Sequence, residues 1–199
     1  GLGDVYKRQS TFHSACVRIL RREAGRLGYP QSFTIYDTDD QQRAMKEVYK
    51  SMNIDDKFLP LKSAIGAIGR LKDKMISPQD AMSAPADTRA GLVAKVYDAY
   101  QKRLLQAGAF DFDDLIYATV KLLRDFEDVR EYYQNRFRYI LVDEYQDTSV
   151  AQFQLVYLLG GEHRNVCVVG DDDQSIYRFR GATIENILNF EPVYYTHLT

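Results

Sequence analysis

Residues 138–147 read Arg138-Tyr-Ile-Leu-Val-Asp-Glu-Tyr-Gln-Asp147, a short apolar run that ends abruptly in acidic residues. A second run of this kind, Asn165-Val-Cys-Val-Val169, leads into a glycine and three aspartates. Short runs rich in β-branched residues and bounded by polar turns are typical of buried parallel strands. Residues 150–159 have helical periodicity, and two glycines follow them. The spacing predicts a strand-helix-strand unit with a right-handed crossover, and hence an α/β core.

The acidic residues after the first run are candidates for chemistry. In an open parallel sheet, ligands bind beyond the carboxyl ends of the strands, where Asp143 and Glu144 emerge. Mg²⁺ prefers one or two carboxylates together with phosphate oxygens and waters. We therefore predict that Asp143 holds magnesium and that Glu144 is the general base that activates a water. The alternative is that the acidic pair only ends the strand in a solvated turn.

The segment after the second run, Gly170 to Gly181, combines three carboxylates, a glutamine, two arginines and two aromatic residues. Gln174 is an uncharged donor and acceptor suited to sensing a terminal phosphate. Tyr177 and Phe179 offer flat faces for unstacked bases, and such stacking contributes about 1–3 kcal/mol per base. The alternative for these two aromatic residues is core packing. The arginines, which can contact phosphates or form ion pairs, are Arg178 and Arg180.

Upstream, residues 12–123 have apolar residues at helical spacing, interrupted only by a short candidate strand at Phe33-Thr-Ile-Tyr36. The first helix is predicted over residues 14–27, and a second begins at Thr38, where Thr38-Asp-Asp-Gln41 has capping-box spacing. Ser77-Pro78 predicts a further helix start. A long helix is predicted from about Thr88 to Gln106, and Gly108 ends it.

Two of these helices carry several basic residues. The third helix, near residues 61–75, has basic residues outside its apolar stripe, namely Lys62, Arg70, Lys72 and Lys74. The first helix has four arginines on its outer face, namely Arg18, Arg21, Arg22 and Arg26.

Composition limits the class of protein. The chain has 199 residues, 45% of them hydrophobic and 13% aromatic, which is enough to build a core. Because the formal net charge is −2, any contact with nucleic-acid phosphates depends on local basic patches. Cys16 and Cys167 have neither metal-ligand spacing nor the density of a disulfide scaffold. Without an apolar stretch of about 20 residues, the chain is expected to be soluble and cytoplasmic.

Four segments together resemble the motifs of UvrD/PcrA/Rep-type DNA helicases. Asp143-Glu-Tyr-Gln-Asp147 and Gly170-Asp-Asp-Asp-Gln-Ser-Ile-Tyr-Arg-Phe-Arg-Gly-Ala182 are similar to motifs II and III of that family. Ser10-Thr-Phe-His-Ser14 resembles its single-strand-contacting Thr-Phe-His motif. Asp111-Phe-Asp-Asp-Leu-Ile116 resembles the segment that returns the chain from an inserted helical subdomain. The resemblance covers residues 10–191, with matching order and spacing.

The resemblance implies an α/β fold, part of a RecA-like P-loop NTPase domain with a parallel sheet and a mostly α-helical inserted subdomain. Residues 10–13 and 110–191 would belong to the RecA-like domain, and residues 14–109 to the insertion. Residues 1–9 and 192–199 match no family pattern, and we expect these two tails to be disordered or adventitious.

The resemblance also implies ATP and Mg²⁺ as cofactors. Asp143 would complete the magnesium shell, Glu144 would activate the attacking water, and Gln174 would link the γ-phosphate to the DNA-contacting segment. Residues along single-stranded DNA would be Thr11, Phe12, His13, Tyr177, Phe179 and Arg180. A tryptophan often stands where this chain has Phe179, so less stacking area would remain.

Several of these roles have alternatives. His13 could instead be a buried structural histidine, and helix capping explains Asp111 and Asp114 as well as a direct role does. For the arginines of the first helix, an approach to duplex DNA is the alternative to a solvated face. Movement from three-prime to five-prime is inherited by analogy only.

The chain departs from the family in one respect. The phosphate-loop pattern Gly-x-x-x-x-Gly-Lys-Ser/Thr is absent from its residues, so we expect no ATP hydrolysis by this chain alone. The sequence is best interpreted as an internal fragment of an ATP-dependent DNA helicase that acts on single-stranded and duplex DNA. The alternatives are the helicase subunit of a recombination nuclease, which would carry a longer insertion, and a non-catalytic DNA-binding module of the same fold.

Overall fold

A computed structural model of the chain describes residues 9–161 and 165–170. The described part is mostly helical and contains two small parallel sheets. Residues 1–8, 162–164 and 171–199 lie outside it, and with them the predicted tails, except for Gln9, and the segment from Asp171 onward.

Helix α1 spans Phe12–Glu23, and its start is fixed by the Thr11 side chain, which accepts a hydrogen bond from the Ser14 N–H at 3.2 Å. The helix therefore starts two residues before the predicted Ser14. A 3₁₀ turn, Ala24–Leu27, follows, and Gly28 ends it with a φ of 82° that suits glycine.

Strand β1 spans Thr34–Ile35 and helix α2 spans Thr38–Met52. The capping residue of α2 is Asp37, whose carboxylate accepts the Asp40 N–H at 2.8 Å, while the Asp37 N–H donates to Asp40 at 3.4 Å. The predicted capping box at Thr38 to Gln41 was thus wrong by one residue. Asp37 has the extended backbone that a cap requires, whereas Thr38 is already helical.

Helices α3 (Leu61–Asp73), α4 (Pro78–Ala81) and α5 (Arg89–Ala107) follow. Ser77 caps α4, with Pro78 at its first position, and Thr88 caps α5. Gly108, with a φ of 58°, ends α5. These three features confirm the predicted helix boundaries.

Strand β2 (Ala109–Phe110) pairs in parallel with β1 and leads into α6 (Phe112–Asp125) and α7 (Glu127–Arg136). The predicted strand-helix-strand unit then appears as β3 (Ile140–Val142), α8 (Val150–Gly160) and β4 (Val166–Val168). Strands β3 and β4 are parallel, with Ile140 opposite Val166 and Val142 opposite Val168.

The prediction that β3 and β4 are buried was wrong for one face of the described sheet. Val142 is buried and packs with Tyr145 and Val156 in a small cluster. Leu141, on the opposite face, is 65% exposed, and its partner Cys167 is also exposed. The difference follows from strand alternation, because successive side chains point to opposite faces.

Two larger hydrophobic cores organise the helices. The first core combines α1, α6, α7 and α8, and its fully buried members include Cys16, Leu20, Leu122 and Leu123. The second core combines α2, α3 and α5, and its fully buried members include Met45, Val96, Tyr97 and Tyr100. Helix α1 therefore packs with α6, although the family resemblance predicts that residues 14–27 belong to the helical insertion.

One basic residue occupies an unexpected place. Lys72 on α3 is only 1% exposed, so its predicted location outside the apolar stripe was wrong. Its ammonium lies between two carboxylates at the start of α6, which offset the cost of burying its charge.

Within residues 9–161 and 165–170, no helix is both long and apolar enough to cross a membrane.

Candidate functional site

The acidic pair lies where β3 leaves the sheet, in a turn held by β4. The Val169 N–H donates to the Val142 carbonyl at 2.8 Å, and the Tyr145 N–H donates to the Val169 carbonyl at 2.9 Å. Asp143 and Glu144 thus lie between two residues whose backbone groups both bond to Val169. Both acidic side chains are exposed beyond the strand end. The turn presents them to solvent at the edge where the fold predicts a ligand.

Glu144 has an unusual backbone conformation. Its φ is 50° and its ψ is 45°, in the left-handed region that few non-glycine residues adopt. The Glu144 N–H donates to Asp143 Oδ1 at 2.9 Å, so the first acidic side chain supports the turn that positions the second. Backbone strain of this kind is frequent at functional sites.

The residues that follow the acidic pair stabilise the turn by packing and hydrogen bonding. Tyr145 is 1% exposed and packs against Val142 and Val156. The Thr148 hydroxyl donates to the Tyr145 carbonyl at 2.8 Å, and Ser149 then caps α8. The residues that support the exposed carboxylates are therefore buried and hydrogen-bonded.

Asp143 suits a magnesium ion that is shared with a nucleotide. Its exposed carboxylate offers the oxygen ligand that this ion prefers, with phosphates and waters supplying the remaining ligands. In the part of the chain that the structure describes, no group of three or more His, Cys, Asp or Glu side chains forms a complete metal site.

The Thr-Phe-His segment lies beside this strand end. Phe12 is half-buried and packs against both the first core and the cluster of Val142, Tyr145 and Val156. Thr11 is exposed, and its hydroxyl donates to Ser14 Oγ at 3.0 Å in addition to capping α1. The fold therefore brings two of the predicted motifs together, although they are far apart in sequence.

His13 is half-buried and stacks on the ring of Phe112, which was not among the predicted site residues. The His13 and Phe112 ring centroids are 3.8 Å apart, with 17° between the ring planes. Phe112 is the first residue of α6 and is 48% exposed. Its sequence signal was an aromatic residue directly after a capping aspartate, but only the fold shows that it meets His13.

Asp111 and Asp114 form a buried charged cluster with Lys72. The two aspartates make a reciprocal capping box at the start of α6, with hydrogen bonds of 2.8 and 3.1 Å. Lys72 Nζ lies 2.7 Å from Asp111 Oδ2 and 2.8 Å from Asp114 Oδ1. Gln41 donates to Asp111 at 3.2 Å, and Gln101 donates to Asp114 at 3.1 Å. The capping interpretation of the two aspartates is confirmed, with Lys72 as an additional partner.

The environment of this cluster shifts the pKa values of its members in different directions. Burial and the neighbouring Asp111 charge raise the pKa of Asp114 to about 7. Burial also opposes the ionisation of Asp111, but the Lys72 ammonium outweighs it and lowers the Asp111 pKa. Although burial disfavours a charged lysine, the two carboxylates raise the pKa of Lys72. Lys72 therefore stays protonated and Asp111 ionised near neutral pH.

Most arginines of α1 and of the 3₁₀ turn that follows it, which contains Arg26, have partners within the chain. Arg21 donates to the Phe33 carbonyl at 2.5 Å, and its guanidinium lies 3.7 Å from the centroid of the Phe33 ring. Arg22 donates to the Tyr132 hydroxyl at 2.6 Å. Arg26 pairs with Asp128 on α7. These arginines are exposed but join α1 to its neighbours, so they have a structural role besides any contact with DNA.

The remaining predicted site residues lie outside the described residues. They are Gln174, Tyr177, Arg178, Phe179 and Arg180. Strand β4 leads towards them and ends at Val168, beside the acidic turn.

A profile of the UvrD/REP helicase N-terminal domain matches residues 7–195. The chain belongs to the UvrD/REP helicase family. The match includes all four motif segments and extends a few residues into each predicted tail.

Named relatives of this UvrD/REP family chain include the ATP-dependent DNA helicase PcrA of Staphylococcus aureus strain Mu50 and that of strain NCTC 8325. Another is the ATP-dependent DNA helicase PcrA of Staphylococcus epidermidis strain ATCC 12228. Each is 52% identical over 185 residues, which are 93% of this chain and 25% of the relative. The chain thus spans about a quarter of the length of the curated relatives it matches.

Proposed function

We propose that this chain forms part of the motor of an ATP-dependent DNA helicase. The observation that carries the proposal is the bracketed acidic turn, in which Asp143 and Glu144 stand exposed at the end of a parallel strand beside the Thr-Phe-His segment. In this proposal β3, α8 and β4 belong to a RecA-like domain. The packing of α1 against α6 supports placing α1 in that domain too, so that the helical insertion begins near residue 34 instead of Ser14.

Asp143 and Glu144 divide the chemistry of ATP hydrolysis between them. Asp143 would hold Mg²⁺ through its carboxylate, and the ion would supply positive charge to the phosphate oxygens. Glu144 accepts the proton of the water that attacks the γ-phosphate, which is the role of a general base. Both side chains are exposed at the turn, so that the two groups are available at once.

Single-stranded DNA is the substrate that the aromatic groups fit. His13 and the half-exposed Phe112 present stacked rings, and unpaired bases stack on aromatic faces independently of sequence. Tyr177, Phe179 and Arg180 continue this track, and Gln174 connects it to the γ-phosphate, as the family resemblance implies. Translocation from three-prime to five-prime belongs to the same proposal.

A chimeric enzyme tests the proposal. Residues 10–191 of this chain replace the matching segment of the Staphylococcus aureus PcrA, and ATP hydrolysis is measured with and without single-stranded DNA. We expect DNA-stimulated hydrolysis, and we expect Glu144→Gln to lower kcat by about 10²- to 10⁴-fold while ATP still binds. Glu127→Gln, which changes an exposed glutamate on α7, is the matched control and should retain activity. Turnover retained in Glu144→Gln would remove Glu144 from the role of base.

A second candidate is a DNA-binding module without catalysis. The observation that favours it is the stack of His13 on the half-exposed Phe112, which offers unpaired bases an aromatic face without requiring a nucleotide. The chimera separates the two functions. Single-stranded DNA binding without any ATP hydrolysis would support the module, whereas hydrolysis stimulated by DNA would support the motor.

A further inference from the structure

The two hydrophobic cores meet at the first turn of α6, and the contacts there are directional. Each helix of the second core sends one donor to the carboxylates of this turn. Gln41 comes from α2, Lys72 from α3 and Gln101 from α5. Because hydrogen bonds and ion pairs depend on geometry, three donors from three helices fix the orientation of the turn as well as its position.

A buried ion pair of this type is a poor source of stability. The cost of removing charges from water offsets much of their attraction, and apolar residues of similar size often serve a core equally well. The close approach of α3 to α6 also limits the local geometry. A Cβ atom on Gly69 would lie 2.7 Å from Asp113 Oδ2 in the same turn. The cluster is therefore better suited to specifying a geometry than to adding stability.

The turn that is fixed in this way carries Phe112. Phe112 follows the capping residue Asp111 directly, and the reciprocal bonds between Asp111 and Asp114 enclose it. The Phe112 ring lies at the surface and stacks on His13 of α1. Without the Lys72 ammonium, the two carboxyl groups would lose the partner that holds them on the second core. Where both are ionised, their repulsion would open the capping box and release Phe112 from His13.

We propose that Lys72 is a positioning residue for the single-stranded DNA site. Lys72 holds the first turn of α6 on the second core and thereby aligns the Phe112 ring with His13. The DNA-binding part of this inference rests on the proposed function, whereas the alignment of the two rings does not. Lys72 itself is buried and does not contact the DNA.

The alignment is measured by NMR on the complete chain without DNA. The ring current of Phe112 shifts the NMR signals of the His13 ring protons. The Phe112→Leu variant gives the chemical shifts of these protons when that ring current is absent. His13→Gln identifies these signals among those of the three histidines. We expect Lys72→Met to move the His13 signals towards their positions in Phe112→Leu. Fluorescence anisotropy with a labelled oligothymidylate should show affinity lower by about fivefold or more, the loss expected when a base loses its aromatic partner.

Leu59→Ala is the control for a merely structural effect. Leu59 is 1% exposed in the second core, and its loss destabilises that core without removing a donor from the carboxylates. All variants are compared at equal folded fraction by circular dichroism. We expect the His13 signals of Leu59→Ala to stay in place. Equal displacement in Leu59→Ala and Lys72→Met, or no displacement in Lys72→Met, would overturn the positioning role.

Two further variants decide the question if Lys72→Met does not fold. Gln41→Met and Gln101→Met each remove one neutral donor, and each should displace the His13 signals in the same direction by a smaller amount. Unchanged signals in both would overturn the inference. If the unmodified chain does not bind oligothymidylate, the proposed DNA contact of this chain fails, but the measurement without DNA still decides whether Lys72 aligns the rings.

Discussion

At the scale of single residues, Lys72 shows how a charge in the interior depends on its partners. Both carboxylates that it contacts are 1% exposed. Removing one partner of such a group leaves the others buried without compensation, which costs about 3–5 kcal/mol. The electrostatics of the first turn of α6 therefore depend on one ammonium group.

We predict that Lys72→Met lowers the free energy of unfolding by about 3–5 kcal/mol, and by more at pH 8 than at pH 5. Without the ammonium, the folded-state pKa values of Asp111 and Asp114 both lie above their unfolded value of about 3.9. A carboxyl group whose pKa is raised by folding binds a proton more tightly in the folded state. Its contribution to stability therefore falls as pH rises from the unfolded to the folded pKa.

Urea denaturation at the two pH values, followed by circular dichroism, measures this effect. Lys102→Met removes an exposed lysine that pairs with Asp98, and it should change stability by less than about 1 kcal/mol at either pH. If Lys72→Met costs no more at pH 8 than at pH 5, the carboxylates are not its main partners.

Sequence reasoning at this scale succeeded where the signal was local. Asp111 and Asp114 have capping spacing, and the structure contains that cap. The burial of Lys72 could not be predicted in the same way, because its partners lie on a helix distant in sequence. The His13–Phe112 stack was missed for the same reason.

At the scale of elements, α5 illustrates a helix whose start is limited by a neighbouring loop. Thr88 caps the helix, and Gly91 lies in its first turn. A Cβ atom on Gly91 would lie 2.3 Å from the Pro85 carbonyl oxygen and 2.9 Å from Ala86 Cα. Both are backbone atoms, so the loop would have to move to accept a side chain.

Gly91→Ala should therefore lower the free energy of unfolding by about 1–3 kcal/mol, despite the higher helix propensity of alanine. Gly66→Ala on α3 is the matched control, because its Cβ would meet only the flexible end of Arg70 at 3.5 Å. That control should raise stability by about 0.5–1 kcal/mol. Thermal denaturation of both variants measures the contrast, and a stabilising Gly91→Ala would contradict the close contact with the loop.

Most elements were predictable because their signals lie in a few adjacent residues. Ser77-Pro78, Thr88 and Gly108 mark helix ends through capping and backbone preference, and the structure places the ends there. The exposed face of β3 was not predicted, because an apolar run does not show which of its faces is covered. The shift of the α2 cap from Thr38 to Asp37 reflects two neighbouring residues that can both cap a helix.

At the scale of the whole molecule, the described chain consists of two cores joined by a polar contact. The α1–α6 core carries the proposed DNA contacts and lies against the acidic turn, while the second core supplies the three donors to the start of α6. Motif order in the sequence indicated the family and the acidic site. It gave no information on which helices share a core, since that depends on contacts between distant segments.

The backbone hydrogen bonds of Val169 have a mechanical consequence for the acidic turn. Val169 bonds to the residues on both sides of the acidic turn, Val142 and Tyr145, through its backbone groups alone. A displacement of the chain at this point changes the length of at least one of those bonds and thus pulls on the turn. In the proposed helicase, this backbone link would couple the acidic turn to the chain that follows β4, and most side-chain substitutions would leave it intact. A proline at position 169 would remove the hydrogen bond to the Val142 carbonyl.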